Sequence, residues 1–125
     1  MGKNTAGARE NGRKRGIYSL SPAVAGSVGL SILSTGLRPK LEDASEMIRE
    51  LKTYPLLLGF RGSVPADVTA LEEGLLRVSA MVEDLPQIAE LDCNPFVVHE
   101  TGATILDARI RVTAVEPRRL VGVRL

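Results

Sequence analysis

The chain has no tryptophan, only two phenylalanines and two tyrosines, a single cysteine and a single histidine. One cysteine excludes an internal disulfide and agrees with a cytoplasmic location. One cysteine with one histidine also falls short of the three or four Cys and His ligands that a zinc site takes. No run approaches the roughly eighteen apolar residues that a membrane-spanning helix requires, so no membrane contact is expected. Net charge is only +1, which removes any general attraction to nucleic acid or to acidic surfaces. Aromatic content is 3%, so Leu, Val, Ile and Ala must supply the core. The 125 residues suffice for one modest domain. No internal repeat is present.

What charge there is lies unevenly. Residues 1–20 carry Lys3, Arg9, Arg13, Lys14 and Arg15 against Glu10, among many Gly and Asn. By composition this is a flexible, solvated basic arm rather than a nucleic-acid contact. Ser21-Pro22 reads as a helix start, Ser at N-cap and Pro at N1, for a helix running to Leu33. Gly26 and Gly29 weaken that helix by about 1 kcal/mol each. The arm is not read as a signal peptide, because the apolar stretch is mild and no A-x-A site follows. Residues 1–42 form an unassigned leader, and residues 113–125 a tail with Arg118, Arg119 and Arg124.

Helical spacing begins at residue 43. Ala44, Met47, Ile48 and Leu51 follow i, i+3, i+4, i+7, with Asp43 as N-cap and Tyr54-Pro55 as the stop. Pro55-Leu-Leu-Leu-Gly-Phe-Arg-Gly62 then places Arg61 on a tight loop that its glycines allow. Arg61 offers permanently charged recognition of phosphate or carboxylate, or merely braces the loop through backbone carbonyls. From Asp67 to Glu83, Val68, Leu71, Leu75, Val78 and Val82 make an apolar stripe capped by Asp67.

A β-hairpin follows. Gln87–Asn94 and Thr104–Val112 alternate apolar and polar residues, with His99–Gly102 as the turn. Leu91 and Cys93 face one way, and Glu90, Asp92 and Asn94 the other. On the return strand Leu106, Ala108, Ile110 and Val112 oppose Asp107, Arg109 and Arg111. The Asp67–Glu83 helix is expected to cover Leu91, Leu106, Ala108 and Ile110. Antiparallel pairing brings Asn94 roughly opposite Asp107, so Asp92, Asn94 and Asp107 converge on one polar face. Such residues are ordinary on a solvated sheet face, yet three hard oxygen donors also suit Mg²⁺. Cys93 alternates onto the apolar face and reads as a small buried hydrophobe.

Glu90-Leu-Asp-Cys-Asn-Pro-Phe-Val-Val followed by Gly102-Ala-Thr-Ile-Leu-Asp-Ala-Arg-Ile resembles the end of the ATP-grasp domain of ADP-forming acyl-CoA synthetases (acetate–CoA ligases). It is similar to the related domains of protein lysine acetyltransferases and, more distantly, to the succinyl-CoA synthetase β subunit. The Pro55–Gly62 segment carries a second signature, and the resemblance spans residues 43–112. It implies an α+β fold, a C-terminal ATP-grasp subdomain with two helices packed on an antiparallel hairpin. It also implies that Asp92, Asn94 and Asp107 are the metal ligands, holding Mg²⁺ against the phosphates of ATP or ADP. The implied reaction interconverts acid, CoA and ATP with acyl-CoA, ADP and phosphate, through acyl-phosphate and phosphohistidine intermediates. That phosphohistidine belongs to a separate domain, and His99 is a turn residue. Upstream, the nucleotide-gripping first half of the ATP-grasp fold has no counterpart in residues 1–42. The implied partners are that missing half and a CoA-binding subunit. The chain is then either part of an enzyme, inactive alone, or a non-catalytic remnant or interaction module.

Overall fold

From Tyr18 to Ile32 the buried apolar side chains fall on even positions: Tyr18, Leu20, Val28, Leu30 and Ile32. A period of two belongs to strands and not to the helix expected over 21–33. The structure, a computed structural model, describes residues 4–6, 17–23, 26–33, 41–59 and 62–114. Its elements in chain order are β1 (Asn4–Ala6), β2 (Ile17–Pro22), β3 (Ser27–Leu33), α1 (Leu41–Arg49), α2 (Tyr54–Leu57), α3 (Val68–Asp84), β4 (Ile88–Val98), β5 (Ala103–Ile105) and β6 (Ala108–Val112). The expected helix is therefore replaced by β2 and β3. Gly26, at φ +75°, reverses the chain between them, and Ala23 N–H donates to Ser27 O at 3.3 Å. Within the basic arm expected to be flexible, Asn4–Ala6 pair with Tyr18–Leu20. Residues 1–3 and 7–16 of that arm, and 115–125 of the tail, lie outside the described residues.

All pairings are antiparallel. The sheet runs β1-β2-β3-β4, and β4 is then flanked by β5 along its second half and by β6 along its first. The helices lie on one face. α1 buries Ala44, Met47 and Ile48, with Leu51 just beyond it, as the spacing requires. It starts at Leu41, so Asp43 lies inside the helix and does not cap it. Tyr54-Pro55 opens the single turn α2 instead of a loop, because proline at the start of a helix loses no intrahelical bond. α3 buries Leu71, Leu75, Val78 and Val82. It sits so close to β4 that a Cβ on Gly74 would stand 2.5 Å from Phe96 Cζ. A mid-helix glycine costs about 1 kcal/mol in propensity, and here it permits that approach.

Asp67 caps α3 as expected, and does more. Its Oδ1 accepts from Ala70 N–H at 3.0 Å and its Oδ2 from Gly102 N–H at 2.8 Å. Asp67 N–H donates to His99 O at 2.7 Å. One carboxylate thus ties the start of α3 to the β4–β5 turn, where Gly102 takes φ +91°. The Gly102 and then the Ala70 hydrogen bond hold its pKa below the ordinary 3.8.

The helix layer covers less of the hairpin than expected. Ile110 pairs with Leu91 and Ala108 with Cys93, so these residues share a side of the sheet. The buried core draws on β2, β3 and β4, and not on β6. Leu91 is 1% exposed, whereas Leu106, in the link between β5 and β6, and Ile110, on β6, are 64% and 50% exposed, because that edge of the sheet lies beyond the helices. Leu91→Ala is expected to cost about 2–5 kcal/mol in urea unfolding, and Leu106→Ala less than about 0.5 kcal/mol. The Asp67 contribution has the sign of a depressed carboxylate pKa. It is complete above the unfolded value near 3.8 and lost as pH falls through the lower folded value. Asp67→Asn should therefore unfold more easily than the parent at neutral pH, with the gap closing on acidification below 3.8. A gap independent of pH would show that the charge on Asp67 is not what binds the turn.

Candidate functional site

The face opposite the helices carries the polar residues. The registers place Ser19 opposite Ser31, Ser31 opposite Asp92, and Asp92 opposite Arg109. That is one row across four strands. A second row runs beside it, with Ser21 opposite Gly29, Asn94 lying against Gly29, and Asn94 N–H donating to Asp107 O at 3.1 Å. Together these residues line an open depression of about 380 Å³. A second depression of about 270 Å³ shares Ser19, Ser31 and Asp92, so the polar face is a groove.

A β-bulge sets the second row. Val28 pairs with Phe96 and Leu30 with Cys93, so Asn94 and Pro95 together face Gly29. Two residues against one bend the strand and re-aim its side chains. Cys93 and Phe96, three positions apart, are both buried, while Asn94 is exposed to the depression. The Asn94–Pro95 peptide bond is cis. β5 and β6 are separated by Leu106 and Asp107, where Leu106 N–H reaches back to Pro95 O at 3.0 Å.

The three residues expected to converge, Asp92, Asn94 and Asp107, all line the larger depression. Ser31 Oγ donates to Asp92 Oδ1. Among the described residues no side-chain bond or ion pair engages Asn94, Asp107 or Arg109. Also among the described residues, no three His, Cys, Asp or Glu side chains gather as a metal cluster. The donors here are two carboxylates and one amide. Arg61 lies outside the described residues. In sequence it is flanked by Gly59 at φ +93° and Gly62 at φ +80°. A Cβ on Gly59 would meet Ser63 O at 2.7 Å, so that position admits only glycine. His99 is a turn residue, its Nε2 within 3.0 Å of Thr104 Oγ1 and its N–H donating to Gly102 O. Sequence reasoning missed Ser19, Ser21, Gly29 and Ser31. The alternation of Val28, Leu30 and Ile32 with Gly29 and Ser31 was the signal that would have found them.

Comparison with known proteins places the chain in a family. Residues 33–112 match the family model of the ATP-grasp domain, and the chain belongs to that family. The match starts ten residues before the resemblance read from residue 43. The chain is 45% identical over 69 residues to the acetate–CoA ligase (ADP-forming) I subunit beta of Pyrococcus furiosus, covering 55% of this chain and 30% of that one. It is 46% identical over 68 residues to the acetate–CoA ligase (ADP-forming) I of Archaeoglobus fulgidus, covering 54% of this chain and 10% of that one. Its fold is similar to the dinucleotide forming acetyl-coenzyme A synthetase 1 of Ca. Korarchaeum cryptofilum, solved with coenzyme A and Mg-AMPPCP. There the TM-score is 0.59 at 28% identity, over 77% of this chain and 51% of that one. The chain thus spans under a third of the curated relatives it matches. Among its described residues no helix is long and apolar enough to cross a membrane.

Cys93 sits between Asp92 and Asn94 with its side chain on the helix side, 1% exposed. Burial, and then the Asp92 charge, push its thiol pKa up. The thiolate that attacks an alkylating reagent is disfavoured twice over. Iodoacetamide at pH 8 should label Cys93 at least about 100-fold faster in urea than in buffer. Equal rates would place the thiol on the surface and overturn the side assigned to β4.

Proposed function

We propose that Asp92, Asn94 and Asp107 hold Mg²⁺ against the phosphates of ATP, as part of the ATP-grasp domain of an ADP-forming acyl-CoA synthetase. The observation that carries this is the convergence of two carboxylates and an amide on one polar depression, inside the segment that matches the family. The donor set fits the ion. Mg²⁺ takes one or two carboxylates and completes its octahedron with water and substrate phosphates. When bound, it would neutralise charge on the phosphoryl group in transfer.

The chain's own residues have distinct parts in this reading. Asn94 and Asp107 present oxygens to the depression, and Asp92 presents the oxygen that Ser31 leaves unengaged. Arg109 supplies a fixed positive charge at the end of the first row, suited to phosphoryl oxygens. Ser19 and Ser21 add hydroxyl donors on the opposite side. Arg61 recognises a phosphate or acyl-phosphate group from its glycine-bounded loop. The work is done in the cytoplasm, beside the remainder of the enzyme: the first half of the ATP-grasp fold and a CoA-binding subunit. Acid, CoA and ATP then interconvert with acyl-CoA, ADP and phosphate through acyl-phosphate and phosphohistidine intermediates. The second reading is a non-catalytic module that keeps the helix-and-sheet core without the chemistry.

Purified alone, the chain should bind ATP weakly and turn over no acetate, CoA and ATP. In a complex supplying the missing parts, Asn94→Ala and Asp107→Ala should each lower phosphoryl transfer by about 10²–10³-fold. The unfolding midpoint should not change, since both side chains are exposed. An active complex in which Asp107→Ala keeps its rate and magnesium dependence decides against the metal site. A complex that never turns over decides for the non-catalytic module.

A further inference from the structure

We infer that β3 is the positioning strand of the metal site: Gly29 sets the Asn94 amide by having no side chain, and Ser31 sets the Asp92 carboxylate by donating to it. The inference rests on the metal reading above and names residues upstream of the segment that matches the family, which begins at Leu33.

Gly29 is not a backbone requirement. Its φ is not in the left-handed region, unlike Gly26, Gly59, Gly62 and Gly102. What crowds a side chain there is the lack of space on the site face. A Cβ there would lie 3.1 Å from Asn94 Nδ2, 3.3 Å from Asn94 Cγ and 3.2 Å from Ser21 Oγ. Those contacts are tight enough that a neighbour must move by a few tenths of an ångström. The Asn94 backbone has little freedom to do so, bonded to Asp107 O and held in the bulge across from Gly29. The Asn94 amide therefore takes up the displacement, and its oxygen is the proposed ligand.

Ser31 acts through a bond instead of a gap. Asp92 is exposed, and an exposed aspartate samples several rotamers unless something selects one. Ser31 Oγ donates to Oδ1, which orients the carboxylate and leaves Oδ2 for the depression. An exposed hydrogen bond of this kind adds little to stability. Ligand geometry, by contrast, must be held within about half an ångström. Loss of such a supporting contact typically weakens metal binding by about 10–100-fold.

The test uses the full chain and Mn²⁺, whose free concentration is read by electron paramagnetic resonance, with thermal unfolding run in parallel. Ser31→Ala and Gly29→Ala should each weaken Mn²⁺ binding by about tenfold or more. Ser31→Thr, which restores the hydroxyl, should return it to within about threefold of the parent. The unfolding midpoint of Ser31→Ala should match the parent, so a loss of affinity cannot be a loss of fold. Ser31 decides the matter even where Gly29→Ala proves unstable. A parent that binds Mn²⁺ through Asp107, with Ser31→Ala equal to it, overturns this inference and leaves the metal reading standing. An affinity lost in Ser31→Ala and not regained in Ser31→Thr also overturns it. A parent that takes up no more Mn²⁺ than Asp107→Ala overturns the metal reading, and this inference with it.

Discussion

Everything on the site face depends on how β4 divides its side chains. β4 is hydrogen-bonded along both edges, to β3 on one side and to β5 and β6 on the other. Leu91, Cys93, Phe96 and Val98 go into the core, while Asp92 and Asn94 go to the groove. Burying a side chain such as Leu91 or Phe96 is worth about 1.5–3 kcal/mol. A slip of one residue would carry Leu91 and Cys93 into water and drive Asp92 into the core, so the alternative registers are closed. The hydrophobic effect, which recognises no ligand, thereby fixes the row in which Asp92 meets Ser31 and Arg109. The bulge at Asn94-Pro95 then permits one change of phase, and it occurs beside Gly29, where no side chain stands in the way.

The hairpin was legible because both of its determinants are local. Alternation from Leu91 to Asn94 and from Leu106 to Val112, with a turn ending in Gly102, suffices to place Asn94 across from Asp107. α3 was legible for the same reason, a single stripe with a side-chain cap at Asp67. The β2–β3 hairpin is masked because Ser21-Pro22 imitates a helix start ahead of the period of two that follows it. The coverage of β6 was misread for a different reason. Alternation says that Ile110 shares a side with Leu91, but not how far the helices extend across that side. That extent is set by packing, including the contact of Gly74 with Phe96, and one strand's pattern carries no record of it.

Asp67 shows how the two layers are kept in step. Apolar contact between α3 and the β4–β5 turn is non-directional, and Asp67 adds direction to it. Its two oxygens and its N–H fix both the start of the helix and the height of the turn. The turn in turn sets where β5 and β6 begin, and so where Asp107 stands opposite Asn94. A cap at one end of the sheet therefore bears on the placement of Asp107 and Asn94 at the other without touching them.

The same layout leaves the groove open to water. Asp92, Asn94, Asp107 and Arg109 are all exposed, and charges in contact with water interact across a high dielectric. Two unit charges 4 Å apart are worth about 1 kcal/mol in bulk water and several times more where water is excluded. Under the metal reading proposed above, an ion at this face would keep most of its own water and bind accordingly weakly. The helix layer has no influence on this, because it covers the other face. Only material laid over the polar rows can remove the water. The sheet sets the positions of these side chains by itself, but not the dielectric around them.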